Sequence, residues 1–374
     1  MANKRKNVRF FKTHPENEKV QQALRVFSVL KKARQATVHE IVKQTGISRD
    51  VVNECVDFCE EKGFIRKESS DGNQLVGFNP RGKKFLGVGF GKQECVLTVM
   101  DLSGGIIEKE KIVIQELSFP KPKRKDIKNI VDRIQEKAKL ENMEFYIAGI
   151  AIPERIEKTS IRNVDLLAHG VGKIFGCNVY LSREATAAGY GERNFGWQTK
   201  GRDILYLHFD VGAGVIVKDE MIFEADEGDA DRAYLRPWHQ FSIVENAKKL
   251  ISKGVGTGIV DVIQGDVNNI TLDIVLQAAD EKDELAEDLM QRAALVLGMR
   301  AAYLINMFMV RTIILGGGIE SGKQGFIEYV RESANKFLLK EVRGKVEIIY
   351  GTLGASASSL GASALCCREL FMEV

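Results

Sequence analysis

The sequence has no apolar run long enough to cross a bilayer. The segment Ala301–Leu315 is broken by Asn306 and Arg311 and falls short of the ~20 residues a spanning helix needs. The opening stretch MANKRKNVRFFKTHPE is basic but lacks the apolar core of a secretory signal. Six cysteines without secretory context do not make a disulfide framework, and the adjacent Cys366 and Cys367 are badly placed for a structural bridge. These absences predict a soluble cytoplasmic chain with reduced thiols and no membrane partner.

What is present is enough for a full core. The 374 residues, 44% hydrophobic and 28% charged, predict a globular chain of two or three domains. Charge is divided unevenly along it. Residues 1–84 carry 18 Lys/Arg against 10 Asp/Glu, a net +8, whereas residues 85–374 carry 36 against 41, a net −5. The basic end is therefore the candidate nucleic-acid end. Lys4, Arg5, Lys6, Arg9 and Lys12 precede the first helical pattern, as an arm able to reach phosphates or a minor groove or as a solubilising tail.

The pattern that follows is that of a winged helix-turn-helix. Val20, Ala23, Leu24, Phe27 and Leu30 recur at helical spacing. Thr37 can cap a second, short helix with Val38, Ile41 and Val42 that stops at Gly46. Ser48 can cap a third carrying Val51, Val52, Cys55, Phe58 and Cys59 inward. Helix, glycine-containing turn and helix is the spacing of a helix-turn-helix. Phe64–Glu68 and Gln74–Phe78 then flank a turn at Asp71–Gly72, predicting a two-stranded wing. Cys55 and Cys59 belong to the core, since no His or further Cys sits at ligand spacing.

A reader of this kind places side chains near the start of its third helix into the major groove. Ser48, Arg49, Asp50 and Asn53 occupy that position; Arg can take guanine bidentately and Asn adenine, and Ser48 suits the cap or a phosphate. One feature opposes insertion. Asp50, Glu54, Asp57, Glu60 and Glu61 make the third helix acidic, with only Arg49 and Lys62 against them. A winged helix that docks protein is the competing reading.

Beyond the wing, FLGVGFGKQECVLTVMDLSGGIIEKEKIVI (Phe85–Ile114) reads as strand, turn and strand, with Gly87, Gly89 and Gly91 ahead of an alternating run. GIAIPERIE (Gly149–Glu157), NVYLSREATAAGYGE (Asn178–Glu192), LYLHFDVGAGVIV (Leu205–Val217), TIILGGGIE (Thr312–Glu320) and LGASASSLGASAL (Leu353–Leu365) follow in order. This ordered set resembles the ROK family of sugar kinases and sugar-responsive repressors. The resemblance covers nearly the whole chain, because ROK repressors join a winged helix to such a body. It implies an α/β fold: a winged helix-turn-helix over residues 15–80 followed by a two-lobed actin-like, hexokinase-like body, with lobes over 84–195 and 196–374. It also implies a homodimer, in which ligand closure of the lobes re-spaces the two readers.

A kinase of this family needs two glycine loops around the ATP phosphates, an Asp near the metal and an Asp base for the sugar hydroxyl. Where the family has Asp-x-Gly-Gly-Thr, this chain has Gly89, Phe90, Gly91, Lys92 and Gln93. The second loop shortens to Asp210, Val211, Gly212, Ala213 and Gly214. The family's Glu-Asn-Asp becomes Ser182, Arg183 and Glu184, so the base would be a Glu, one methylene longer. Several reacting groups change together, and displacement of one by about 1 Å can cost on the order of 100-fold. No catalytic residue is therefore assigned. The retained GGGIE, Gly316–Glu320, lies beside adenosine in the family, or serves only as a strand-to-helix turn.

The family's zinc-binding His and Cys-x-Cys-Gly-x-x-Gly-Cys stretch is replaced by EADEGDADRAYLRPWHQFSIVENAKK from Glu224, with no cysteine between Cys177 and Cys366. Neither a metal nor another cofactor is expected, and His239 beside Trp238 reads as an aromatic pair. Arg232 and Leu235 stand near the family's sugar-binding Glu and His. In the cleft, Glu154 after Pro153 replaces a small Gly, and Arg183 and Glu184 face the same space. They form either a binding site, suited through Arg183 to an acidic or phosphorylated sugar, or a salt-bridged plug. The sequence is thus read as a transcriptional regulator, a repressor in the first instance, binding double-stranded DNA and sensing a sugar-like effector. An active sugar kinase with a regulatory winged helix and a ligand-free interaction protein are the alternatives.

Overall fold

A computed structural model describes residues 9–11, 18–70, 73–90, 94–114, 123–138, 140, 143–153, 161–199, 202–209, 213–217, 220–224, 243–321 and 324–373. The chain divides into two units, residues 1–195 with 355–374 and residues 196–354. The expected C-terminal lobe ran to 374. Instead, the last helix, Ala357–Phe371, belongs to the first unit.

The first unit opens with β1 (Arg9–Phe10) and α1 (Glu18–Ala33), which buries Ala23, Val26, Phe27 and Leu30 on one face. After β2 (Gln35–Thr37), α2 (Val38–Thr45) starts on a reciprocal cap. Thr37 Oγ1 accepts the Glu40 N–H at 3.2 Å, and the Glu40 carboxylate accepts the Thr37 N–H at 2.7 Å. The Thr37 N–H and the Thr37 hydroxyl, which donates to the same carboxylate at 2.9 Å, hold the Glu40 carboxyl below its ordinary range. Gly46, at φ 69°, ends the helix in the left-handed region that a side chain resists. The Arg25 guanidinium of α1 donates to the Thr45 carbonyl at the same end, tying the two helices.

α3 (Arg49–Glu61) buries Val52, Cys55, Val56 and Cys59; Val51 and Phe58, expected inward, lie half-buried at the edges of that face. β3 (Ile65–Ser70) and β4 (Asn73–Phe78) pair antiparallel from Ile65 opposite Phe78 to Ser70 opposite Asn73. This is the two-stranded wing expected, but the sheet it belongs to has a third strand. β2 pairs with the other edge of β4, and buried Ala36 closes a three-stranded sheet. Asp71–Gly72 lies outside the described residues.

The body of this unit is a six-stranded sheet in the order β1-β9-β8-β5-β6-β7, formed by β5 (Lys84–Phe90), β6 (Glu94–Met100), β7 (Ile106–Val113), β8 (Phe145–Ile152) and β9 (Asn178–Arg183) with β1. β1 joins β9 in parallel, and Phe11 stacks on Tyr180 at 5.3 Å. Arg9, expected in a free basic arm, is therefore held at a sheet edge, because Phe10 and Phe11 are better β formers than tail residues. Lys4, Arg5, Lys6 and Lys12 lie outside the described residues.

Alternation along β5 sorts its residues to two faces. Leu86, Val88 and Phe90 pack with Leu97, Val99 and Ile150 against Ile127, Ile130 and Ile134 of α4 (Arg124–Lys137) and Val164, Leu167 and Val171 of α5 (Ile161–Phe175). Gly87 and Gly89 face the other way, onto the C-terminal helix. A Cβ at Gly87 would lie 1.9 Å from the Ser359 carbonyl oxygen, and one at Gly149 of β8 would lie 2.6 Å from that of Ala362. α6 (Glu184–Phe195) meets the same helix as closely: a Cβ at Gly361 would lie 1.6 Å from Ala187 O.

The second unit carries a five-stranded sheet in the order β12-β11-β10-β13-β14, from β10 (Ile204–His208), β11 (Ala213–Val217), β12 (Glu220–Glu224), β13 (Thr312–Gly316) and β14 (Glu347–Tyr350). β10, β13 and β14 run parallel and β11 and β12 antiparallel. Leu205, Leu207, Ile313 and Leu315 pack on Leu289, Leu297 and Ala301 of the helix Glu284–Phe308, and the helix Gln324–Phe337 adds Ile327 and Val330.

The Gly361 contact makes a direct prediction. Glycine to alanine within a helix ordinarily stabilises by up to about 1 kcal/mol. Gly361→Ala is instead expected to lose about 1–3 kcal/mol in urea unfolding, the cost of overpacking. A variant as stable as the parent would show that the two helices part freely.

Candidate functional site

The start of α3 is open to solvent. Arg49 and Asp50 are exposed and Asn53 is half-buried. Residues four and three apart share a helix face, so Asn53 sits beside both Arg49 and Asp50. Ser48 occupies the N-cap position, yet its side chain makes no capping bond. The cap expected of it is absent, which leaves its exposed hydroxyl at the helix mouth, where first-turn amides have no partner within a helix.

The acidic length of α3 is answered from the wing. Lys67 of β3 reaches both Asp57 and Glu60, with its Nζ 2.5 Å from a carboxylate oxygen of each. The hydrogen bonds to Asp57 and Glu60 raise the Lys67 pKa. Lys62 adds a cation over the Phe58 ring at 5.4 Å. Weighing charges along the helix alone missed this partner, although Lys67 was visible in the wing segment. Its pairing depends on how the wing folds back, which α3 itself does not encode. Burial pushes the Cys59 thiol above its ordinary value, in keeping with a core role.

The proposed effector residues are only partly within view. Arg183, the last residue of β9, is buried, and Glu184, the first of α6, is half-buried beside it. The Arg183 carbonyl accepts a bond from Ser182 Oγ at 3.1 Å. Glu154 lies outside the described residues. Lys92, Gln93, Asp210, Arg232, Leu235, Trp238 and His239 lie outside them as well.

In the second unit the three glycines of Gly316–Glu320 each have a local reason. A Cβ at Gly316 would lie 1.9 Å from the Tyr206 hydroxyl, and one at Gly317 would lie 2.6 Å from the His208 ring. Gly317 and Gly318 both have positive φ, 88° and 96°. Two successive amides in such a turn form a concavity for an anion. Here Glu320 fills it: its carboxylate accepts from Gly317 N at 3.2 Å and from Gly318 N at 2.6 Å. Glu320 ends the motif in the sequence, where nothing marks its side chain as turning back.

A helix-turn-helix with its wing, followed by α/β units of this topology, defines a winged-helix protein with an actin-like body. The model of the ROK family matches residues 248–369. It is 24% identical over 321 residues to the xylose repressor of Caldicellulosiruptor bescii, covering 77% of this chain and 79% of that protein. It is 20% identical over 366 residues to the DNA-binding transcriptional dual regulator NagC of Escherichia coli, covering 88% of each. A crystal structure of a ROK family transcriptional regulator, a homologue of the E. coli MLC protein, superposes with a TM-score of 0.69 at 16% identity, covering 94% of this chain and 96% of that one. A ROK family glucokinase from Streptomyces griseus, solved with glucose and AMPPNP, gives 0.53 at 19% identity, covering 75% of this chain and 98% of that one. At these identities the structural likenesses speak for the fold.

Lys67→Met is expected to cost about 0.5–1 kcal/mol, the range of partly exposed ion pairs, and less at 1 M salt. A lysine pKa raised by folding contributes stability that is complete at neutral pH and is lost as pH climbs through the raised value. Chemical unfolding at low and high salt checks this; an equal loss at both would assign Lys67 to packing.

Proposed function

We propose that this chain is a DNA-binding transcriptional repressor acting in the cytoplasm, whose α/β body senses a sugar or sugar derivative and transfers no phosphoryl group. The observation that carries the reading is the α3 start, with Arg49 and Asp50 exposed beside half-buried Asn53, and the pairing of Asp57 and Glu60 further along the helix with Lys67. Major-groove recognition needs such a face at the helix start with little uncompensated negative charge behind it. The xylose repressor, a relative along most of the chain, supports a sugar as the signal, and NagC supports DNA binding. A homodimer is the working form, because two readers at fixed spacing match a two-fold operator. Arg183 and Glu184, with Glu154, contact the effector.

Selection of genomic fragments by the intact protein, followed by titrations across salt, tests the DNA reading. Arg49→Ala and Asn53→Ala should each weaken the preferred site by about 1–3 kcal/mol and relax its sequence preference. Replacing Lys4, Arg5 and Lys6 by Ala should weaken all sequences alike and flatten the salt slope. If no fragment is preferred at low salt, or if both α3 variants bind as the parent does, the module is a protein-docking one.

Silence in phosphoryl transfer rests on two supports. The loop and base positions depart together from the kinase pattern, and the Gly317 and Gly318 amides are spent on the chain's own Glu320. Incubation with ATP, Mg²⁺ and a panel of hexoses, amino sugars and sugar acids should give no phosphosugar above a protein-free control. Product that disappears in Glu184→Gln would overturn this and make the chain a kinase.

A further inference from the structure

The helix Ala357–Phe371 has two jobs at its two ends, and both can be read from contacts within the first unit. Along its first turns it is wedged against its neighbours with no spare volume. A Cβ at Gly191 of α6 would lie 2.3 Å from Ala357 O, and one at Gly361 would lie 1.6 Å from Ala187 O. A Cβ at Gly89 of β5 would lie 2.4 Å from Ser358 Oγ. The buried hydroxyls of Thr98 and Ser359 pair at 2.8 Å. Contacts this close cannot slide; if α6 shifts, the helix must shift with it.

Its other end holds the reading module. Phe371 stacks on Phe27 of α1 at 4.7 Å, and both rings are buried. Glu373, two residues further on, accepts the Tyr146 hydroxyl at 2.6 Å. Tyr146 meets Phe64, at the root of the wing, edge-on at 5.3 Å, and Phe64 stacks on Phe85 of β5 at 5.1 Å. The winged helix is thus seated on the body by an aromatic cluster rather than strung from a linker. α6 in turn starts directly after Arg183, at Glu184.

We propose that the C-terminal helix is the coupling element of the molecule, carrying displacement of α6 at the Arg183–Glu184 end to the winged helix through Phe371 and Glu373. It follows that the reading module's attachment is controlled from residues that touch neither DNA nor effector. The inference uses the regulatory reading only to name the signal.

Hydrogen exchange of the full chain, followed by mass spectrometry without DNA, tests it. Phe371→Ala should speed exchange of α1 and of β3–β4 at least tenfold while α4, on the far face of the sheet, keeps its parental rates. Gly191→Ala, which forces α6 and the helix apart, should speed the same winged-helix amides. Combined with Phe371→Ala it should add nothing further there, because the joint is already open. If Gly191→Ala does not fold, Thr98→Val removes only one hydroxyl pair and should raise winged-helix exchange about threefold. Winged-helix rates within twofold of the parent in Phe371→Ala, or strictly additive effects in the double variant, would overturn the proposal. Because DNA is absent, that failure would leave the proposed function standing, and a failure of DNA binding would leave the joint intact.

Discussion

The approach of Gly361 to the Ala187 carbonyl leaves no space for one methyl group, and the first unit is organised by that distance. The small residues of LGASASSLGASAL let a helix lie flush on β5, β8 and α6 at once, while Leu86, Val88 and Phe90 of β5 pack on the opposite face against α4 and α5. Dispersion between backbones at contact is individually weak and collectively large, and it needs no side-chain ordering. Once the helix is fixed there, Phe371 and Glu373 arrive at the base of the winged helix with little freedom left. The position of the reader is therefore a consequence of glycines some ten residues away.

The same chemistry explains why the glycine pattern misleads when it is read for nucleotide binding. A glycine loop holds phosphate only if its amides are free to point at one. Gly87 and Gly89 are required by the neighbouring helix, Gly316 by the Tyr206 hydroxyl and Gly317 by the His208 ring; the amides of Gly317 and Gly318 already have an anion in Glu320. Gly87, Gly89, Gly316 and Gly317 are each required by packing alone, and Gly318 by its positive φ. The motif survives as architecture, which is why its presence says less about ATP than its spacing suggests.

Local signals were legible and long-range ones were not. Thr37 followed three residues later by Glu40, and Gly46 before Ser48, mark the ends of α2 because caps are made by neighbours in sequence. Helical spacing found the buried face of α3 to within Val51, Val56 and Phe58, since a half-turn of rotation depends on what packs against it. β2 was missed: three residues carry no period, and its pairing with β4 is a tertiary event. The same holds for β1, where a basic tail becomes a sheet edge through Phe11 meeting Tyr180, more than 150 residues away. Of the candidate site, Arg49, Asp50 and Asn53 could be chosen from helix position alone, whereas the roles of Lys67 and Glu320 required knowing which way the chain folds back.

Lys67 also bears on how an acidic helix can still be a reader. Two of its five carboxylates, Asp57 and Glu60, lie in the later turns, where a docked helix is closest to the phosphates rather than the bases. Pairing both with one lysine from the wing removes repulsion at that end without placing a mobile cation that would bind any phosphate. Asp50, in the first turn, stays exposed beside Arg49. A carboxylate there penalises non-specific approach and tolerates only a base pair offering a donor, such as the cytosine amino group. In a DNA-reading helix such acidity would trade general affinity for discrimination, and the basic excess of the N-terminal 84 residues would supply the attraction to DNA.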